Sequence, residues 1–159
     1  MAARPAVTAP TQVVERQFTL SGLALARANL RANVKPDAED GILTAEEVVS
    51  LNLDGVDWAV LSACDTGLGR IRAGEGVFGL RRAFQIAGVR TVIMSLWAVE
   101  DEATRLWMRS LYEGRLVRRL STSRAVRDAS IAVLGDRRAK GLSAHPFYWA
   151  GFVAAGSWR

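Results

Sequence analysis

Trp58 to Gly79, WAVLSACDTGLGRIRAGEGVFG, is the stretch on which the reading of this chain turns. It opens on an apolar run, Trp58-Ala59-Val60-Leu61, and reaches the single cysteine at Cys64. An acid, a threonine and a glycine-rich loop follow. An apolar run of that length, bounded by turn residues, reads as a buried strand. Cys64 then falls at the strand's carboxyl end, where ligands and catalytic groups gather in open α/β sheets. Two readings of the thiol stand side by side. Free cysteine is among the residues most often buried as simple packing. Against that, Asp65-Thr66-Gly67 reads as a sharp polar turn that lifts the sulfur out of the sheet. A helix opening near Glu75 aims its positive dipole end at the same loop. A positive dipole end or a neighbouring base lowers a thiol pKa and yields a thiolate nucleophile.

Outward from this stretch, Val77, Leu80, Phe84 and Ala87 recur at helical spacing, with Arg81 and Arg82 on the other face. Gly88 supplies the stop. Thr91 to Trp97, TVIMSLW, is apolar throughout and reads as a strand buried on both faces. The unit is strand, loop, helix, parallel strand, with a right-handed crossover expected. Glu100-Asp101-Glu102 opens a helix running to about Leu116, its acids at the positive dipole end. Ser121 or Thr122 caps another through Leu134, with Gly135 as its end and Arg137 to Ala144 as a polar loop. Phe147 to Ala155 reads as a last strand. Upstream, Lys35 to Gly41 is a polar loop, and Thr44 with Glu47 makes a capping box for a short helix ending near Leu51.

At 159 residues, half of them apolar, the chain suits one domain with its own core. Met1 to Glu15 lacks periodicity, and residues 1–17 are expected to be a flexible tail. One cysteine excludes an internal disulfide and fits a reducing compartment. No apolar run reaches the roughly 18 to 20 residues that span a bilayer, and the amino terminus lacks a signal-peptide core. A soluble, cytoplasmic protein is expected. The net charge is +5, with arginines concentrated between Arg105 and Lys140 but interleaved with Glu113, Asp128 and Asp136. No aromatic stacking platform accompanies them, so a solvated helix face is expected, with neither nucleic acid nor membrane as partner.

Three linked segments carry a family resemblance: LSACDTGLGRIRAGEGVFGLRRAF, AGVRTVIMSLWAVEDEAT and HPFYWAGFVAAG. In order and spacing they resemble the CHAT family, caspase-like cysteine peptidases related to separases and often fused to helical repeats. The resemblance runs from about Leu20 to the carboxyl terminus and favours a strand or hairpin around Ser21 to Ala26. It implies an α/β fold: a three-layer caspase-like sheet, mainly parallel, with the amino-terminal strands missing, so that residues 18–159 form a partial CHAT domain. It makes Cys64 the nucleophile. The family's base is a histidine in a His-Gly motif on the preceding strand, and this sequence has none there. The resemblance therefore implies a cysteine endopeptidase domain that is truncated or inactive by itself. A non-catalytic protein-interaction domain is the alternative. It also suggests Asp101 as an acidic pocket residue preferring Arg or Lys at the cut site, with Asp65 as the alternative pocket acid. A plain helix-start acid is an equally good reading of Asp101. The implied partners are a protein or peptide substrate, a helical-repeat domain, and a completing amino-terminal segment. No cofactor or metal is expected.

Two rival constellations remain. Gly74-Glu75-Gly76-Val77-Phe78-Gly79 matches the dinucleotide fingerprint, with acids about twenty residues on at Glu100 and Asp101. That motif needs its glycines directly after the strand, and here a long loop intervenes, so helix packing is the better reading and nucleotide binding a distant third function. His145, the only histidine, precedes a proline and reads as a loop residue anchoring the last strand. That strand is expected to run parallel to the others, which places His145 at the opposite end of the sheet from Cys64, beyond reach as its base.

Overall fold

The computed structural model describes residues 21–26, 28–29, 40–62 and 75–157, with backbone alone for 75–78. A three-stranded sheet lies at its centre, in the order β3-β4-β5. β4, Thr91–Ser95, has all five residues buried, its apolar centre Val92-Ile93-Met94 flanked by the hydroxyls of Thr91 and Ser95, as suits a middle strand. β3, Trp58–Leu61, pairs parallel to it, from Trp58 opposite Thr91 to Leu61 opposite Met94. β5, Phe152–Gly156, pairs antiparallel, from Phe152 opposite Ser95 to Gly156 opposite Thr91.

The two-residue alternation of strands sorts these side chains into two cores. Trp58, Val60, Ile93, Phe152 and Ala154 face Trp107 and Leu111 of α3, Asp101–Tyr112, and Ala125, Ala129 and Val133 of α4, Thr122–Ala139. On the opposite face, Ala59, Leu61, Val92 and Met94 pack with Phe84 of α2, Glu75–Ile86. Leu80, Ala83 and Ala87 continue that layer onto Ala45 and Val48 of α1, Ala45–Val49. The fold is therefore α/β in three layers, helices on both faces of a mixed sheet.

A small hairpin precedes this body: β1, Gly22–Ala24, pairs antiparallel with β2, Ile42–Thr44. The sequence reading placed a strand or hairpin near Ser21 to Ala26. The partner strand, three residues long, is too short for a periodicity to register. Thr44 closes β2 and caps α1 through the expected box, its Oγ1 accepting from the Glu47 amide while the Glu47 carboxylate accepts from the Thr44 amide.

α2 stops as expected at Gly88, whose φ is 111°. A Cβ there would also press on Asp54, with the Oδ1 atom closest and the amide nitrogen at 2.8 Å. Gly88→Ala thus meets both strain and backbone collision, and should cost about 1–3 kcal/mol. Gly55 is the internal comparison: its φ is 87°, with nothing within 4 Å of an added Cβ. Urea denaturation should show a larger loss for Gly88→Ala than for Gly55→Ala; equal losses would remove the Asp54 contact from the account.

Four sequence expectations are corrected. α3 ends at Tyr112, and a π-helical turn, Glu113–Val117, replaces its last stretch to Leu116. Buried Gly114 sits there against Ala125, where a Cβ would lie 3.3 Å from the Ala125 methyl. α4 does not stop at Gly135 but runs on to Ala139. An interior glycine costs a helix only about 1 kcal/mol, and the buried Val133 and Arg137 on either side hold the next turn down. The last strand starts at Phe152, because Pro146–Tyr148 form a 3-10 turn with proline at its start, where the missing N–H costs nothing.

The fourth correction is the direction of β5. α3 leaves from the carboxyl end of β4 and α4 returns antiparallel to it: Glu102 meets Lys140 at one end and Gly114 meets Ala125 at the other. The chain re-enters the sheet at the end it left, so β5 must run against β4. No helix among the described residues is long and apolar enough to cross a membrane.

Candidate active site

β3 and β4 end side by side, at Leu61 opposite Met94. Just beyond, the Ser95 hydroxyl donates to the Ser62 carbonyl at 3.3 Å and ties the two exits together. Cys64 follows Ser62 by two residues. Cys64 and Asp65, the expected nucleophile and alternative pocket acid, lie outside the described residues. So does the glycine-rich stretch up to Gly74, which in sequence separates β3 from α2, whereas a dinucleotide fingerprint needs its glycines directly after the strand.

From β4 the chain runs through Leu96, Trp97, Ala98 and Val99 into α3. Asp101 is the first residue of that helix, exposed, with no hydrogen-bond or ion-pair partner among the described residues. Its carboxylate is thus available at the same end of the sheet as the β3 exit. Glu100, the N-cap, makes no side-chain cap and instead accepts from Arg137 Nη1 at 3.1 Å. The first turn is left to Asp101 and Glu102, whose charges suit the helix dipole. Hydrogen bonding to Lys140 holds the Glu102 carboxyl below its ordinary pKa, and Glu102, then Asp136, raise that of Lys140. Both groups are exposed, so these bonds steer α3 and α4 more than they stabilise them.

The His-Pro segment docks on this corner. The Leu96 amide donates to the Gly151 carbonyl at 2.8 Å. The Trp97 indole N–H donates to the Phe147 carbonyl at 2.8 Å, and its ring stacks on Phe147 at 6.0 Å between centroids. Gly151 is obligatory for this approach, because a Cβ would sit 2.5 Å from Val99 Cγ2. Arg137 is the fastener: Nε donates to the Ser143 carbonyl at 2.8 Å, and the guanidinium lies 3.9 Å over the Tyr148 ring. Arg137 was assigned to a polar loop on sequence. The signal that finds it is the stripe Ala125, Ala129, Val133, Arg137, four residues apart and all buried, which continues past Gly135.

The antiparallel β5 brings His145 to this same end of the sheet, so the expectation that it lies at the opposite end fails. Its ring is nevertheless engaged within its own turn. His145 is the N-cap of the 3-10 turn, and its Nδ1 accepts from the Phe147 amide at 3.2 Å. An imidazole nitrogen that accepts a backbone N–H has that lone pair engaged. Among the described residues no group of three or more His, Cys, Asp or Glu could hold a metal ion.

These features define a class: a three-layer α/β domain in which a parallel strand exits beside an acid-opened helix. The CHAT domain model matches residues 8–157, and the chain belongs to the CHAT domain family, which is related to the caspase-like peptidases. Tetratricopeptide repeat protein 28 of Homo sapiens is 34% identical over 122 residues, 77% of this chain. The Mus musculus protein of the same name matches equally. The chain spans 5% of the length of these relatives.

Proposed function

We propose that this chain is a cysteine endopeptidase domain in which Cys64 is the nucleophile, and that it is inactive until a His-Gly segment is supplied beside β3. The observation that carries the reading is the state of the one imidazole in the sequence. His145 spends Nδ1 on the Phe147 amide, so the thiol needs another base. β3 is the terminal strand of the described sheet, and its outer edge pairs with none of the described strands. A parallel strand added there would end beside the β3 exit, where a histidine reaches the sulfur and a glycine amide faces the developing oxyanion.

In the assembled site the base takes the thiol proton and Sγ attacks the peptide carbonyl carbon. The proton passes to the leaving amine, and water then cleaves the thioester. Asp101, unpaired at the same end, is assigned to an Arg or Lys side chain of the substrate, with Asp65 as the second candidate. Without the segment both base and oxyanion donor are missing, and one lost oxyanion donor alone costs about two to three orders of magnitude. The tetratricopeptide repeat proteins this chain resembles suggest a helical-repeat context, and the lone cysteine suits a cytoplasmic setting.

A second reading, a non-catalytic interaction domain, is favoured by the same engaged histidine. The test is the purified chain and its Cys64→Ala variant with Arg- and Lys-terminated fluorogenic peptides, alone and with a separately made His-Gly segment. The expected result is no turnover alone and Cys64-dependent turnover with the segment added. Turnover by the chain alone would overturn the inactivity, and none in either case would favour the interaction domain. Slow alkylation of Cys64 does not count as activity, because a few per cent of an ordinary thiol is ionised at neutral pH.

A further inference from the structure

At the end of the domain away from Asp101, α3 gives way to the π-helical turn Glu113–Val117. Such widened turns are rare and occur frequently at functional sites. Gly114 holds the inner side of the turn against Ala125. Leu116 and Val117 are left 71% and 76% exposed, the highest values among the large apolar side chains described, and Tyr112 one turn earlier is 42% exposed. The Trp58 ring borders them, 6.5 Å from that of Tyr112. Adjacent exposed apolar side chains of this size mark interaction surfaces more often than isolated ones do.

The charge around this patch leans positive: Glu113 is paired with Arg109, and Asp128 with Arg118 and Arg127, which leaves Arg115 and Arg119 over. Arg115 lies 5.5 Å over Trp58 and donates to the Leu120 carbonyl, with no carboxylate partner among the described residues. Arg119 has no partner among the described residues and sits at φ 53°, the only non-glycine residue described with a positive φ. That position follows a helical end, where glycine or asparagine is usual. A long side chain in the left-handed region is a costly choice that recurs at functional sites. The chain thus holds an unpaired guanidinium, at a conformational cost, beside its most exposed aliphatic residues.

We infer that this surface docks an acidic amphipathic helix of a partner protein. The partner's apolar stripe lies on Tyr112, Leu116 and Val117, and its carboxylates face Arg115 and Arg119. A helix fits because the three apolar residues, at intervals of four and one, form one short ridge that an i, i+3, i+4 stripe can straddle. The uncompensated arginines select acid over base. The inference is independent of the peptidase reading, since the surface lies at the other end of α3 from Asp101.

The test uses the full 159-residue chain and a fluorescein-labelled helical peptide with leucine at i, i+3, i+4 positions and glutamate elsewhere. A lysine-for-glutamate version is the control, and anisotropy the readout. The acidic peptide should bind, more weakly as salt rises, and the basic one should not. The double variant Leu116→Ser, Val117→Ser should weaken binding about tenfold or more, as loss of central contacts does. Arg119→Gly should weaken it several-fold while raising the melting temperature, because glycine relieves the left-handed backbone. A weaker binder that is also more stable cannot be explained by unfolding. Failure of the acidic peptide to bind, equal binding of the basic peptide, or unchanged affinity in Arg119→Gly would overturn the inference. So would sedimentation showing a dimer that the double variant abolishes, which would assign the surface to self-association.

Discussion

Trp107→Ala is expected to cost about 3–5 kcal/mol, as deletion of a large buried aromatic does. Trp107 is 1% exposed, and its ring stacks on Phe152 at 4.2 Å between centroids and 18° between planes. Its indole N–H donates to Ser130 Oγ at 3.0 Å. One side chain therefore joins α3, α4 and β5 in the core that includes Ile93, Leu111, Ala129 and Val133. Truncation removes apolar burial, leaves a void among helices that cannot collapse onto it, and strips Ser130 of its donor. Domains of this size are stable by only about 5–15 kcal/mol, so the variant should lie close to its unfolding threshold at 37 °C. Trp107→Phe, which keeps a ring against Phe152 but loses the N–H, should recover more than half of the loss. Urea denaturation followed by far-UV circular dichroism measures both. A loss under about 1 kcal/mol for the alanine variant would mean that the α3–β5 contact does not hold this layer.

Arg137→Ala should cost about 2–4 kcal/mol, an unusual figure for an arginine that charge counting would place on the surface. The guanidinium side chain is 9% exposed, whereas its partner Glu100 is 55% exposed. The ion pair is therefore a minor part, worth at most about 1 kcal/mol. The larger parts are the charged hydrogen bond to the Ser143 carbonyl, about 1.5–3 kcal/mol, and the face of Tyr148, about 0.5–2 kcal/mol. Three measurements separate these parts. Glu100→Gln should cost under about 1 kcal/mol. The Arg137→Ala loss should change little with salt, because screening acts on exposed charges. Arg137→Lys should rescue only partly, since an ammonium cannot match the planar fork that spans Ser143, Glu100 and Tyr148. The variant should also loosen residues 141–151, seen as faster amide exchange at Leu96, whose N–H donates to Gly151. Equal losses for Arg137→Ala and Glu100→Gln would reduce the residue to an ordinary surface pair.

The strand from Trp58, the helix after Glu75 and the strand from Thr91 were legible because each carries its own pattern: an apolar run, a four-residue apolar stripe and a second apolar run. Only the second run is fully buried, and Trp58–Leu61 at the edge of the described sheet is half-buried. The Thr44 capping box and the Gly88 stop were legible because a cap is a contact between residues three or four apart. Cys64, Asp65 and Asp101 were likewise singled out by residue type and by position relative to those strands, with the family resemblance behind them.

Only the tertiary structure decided what depends on distant parts of the chain. The direction of β5 follows from two helices packing antiparallel, and no local stretch encodes that. Gly135 looks like a stop until the burial of Val133 and Arg137 is known, because packing outweighs a glycine's propensity. His145 looks remote from the β3 exit until β5 is seen to run backwards. The sequence by itself determined the layered α/β body, through short-range patterning. Which end of the sheet each later motif reaches was left to long-range packing, whose determinants lie tens of residues apart.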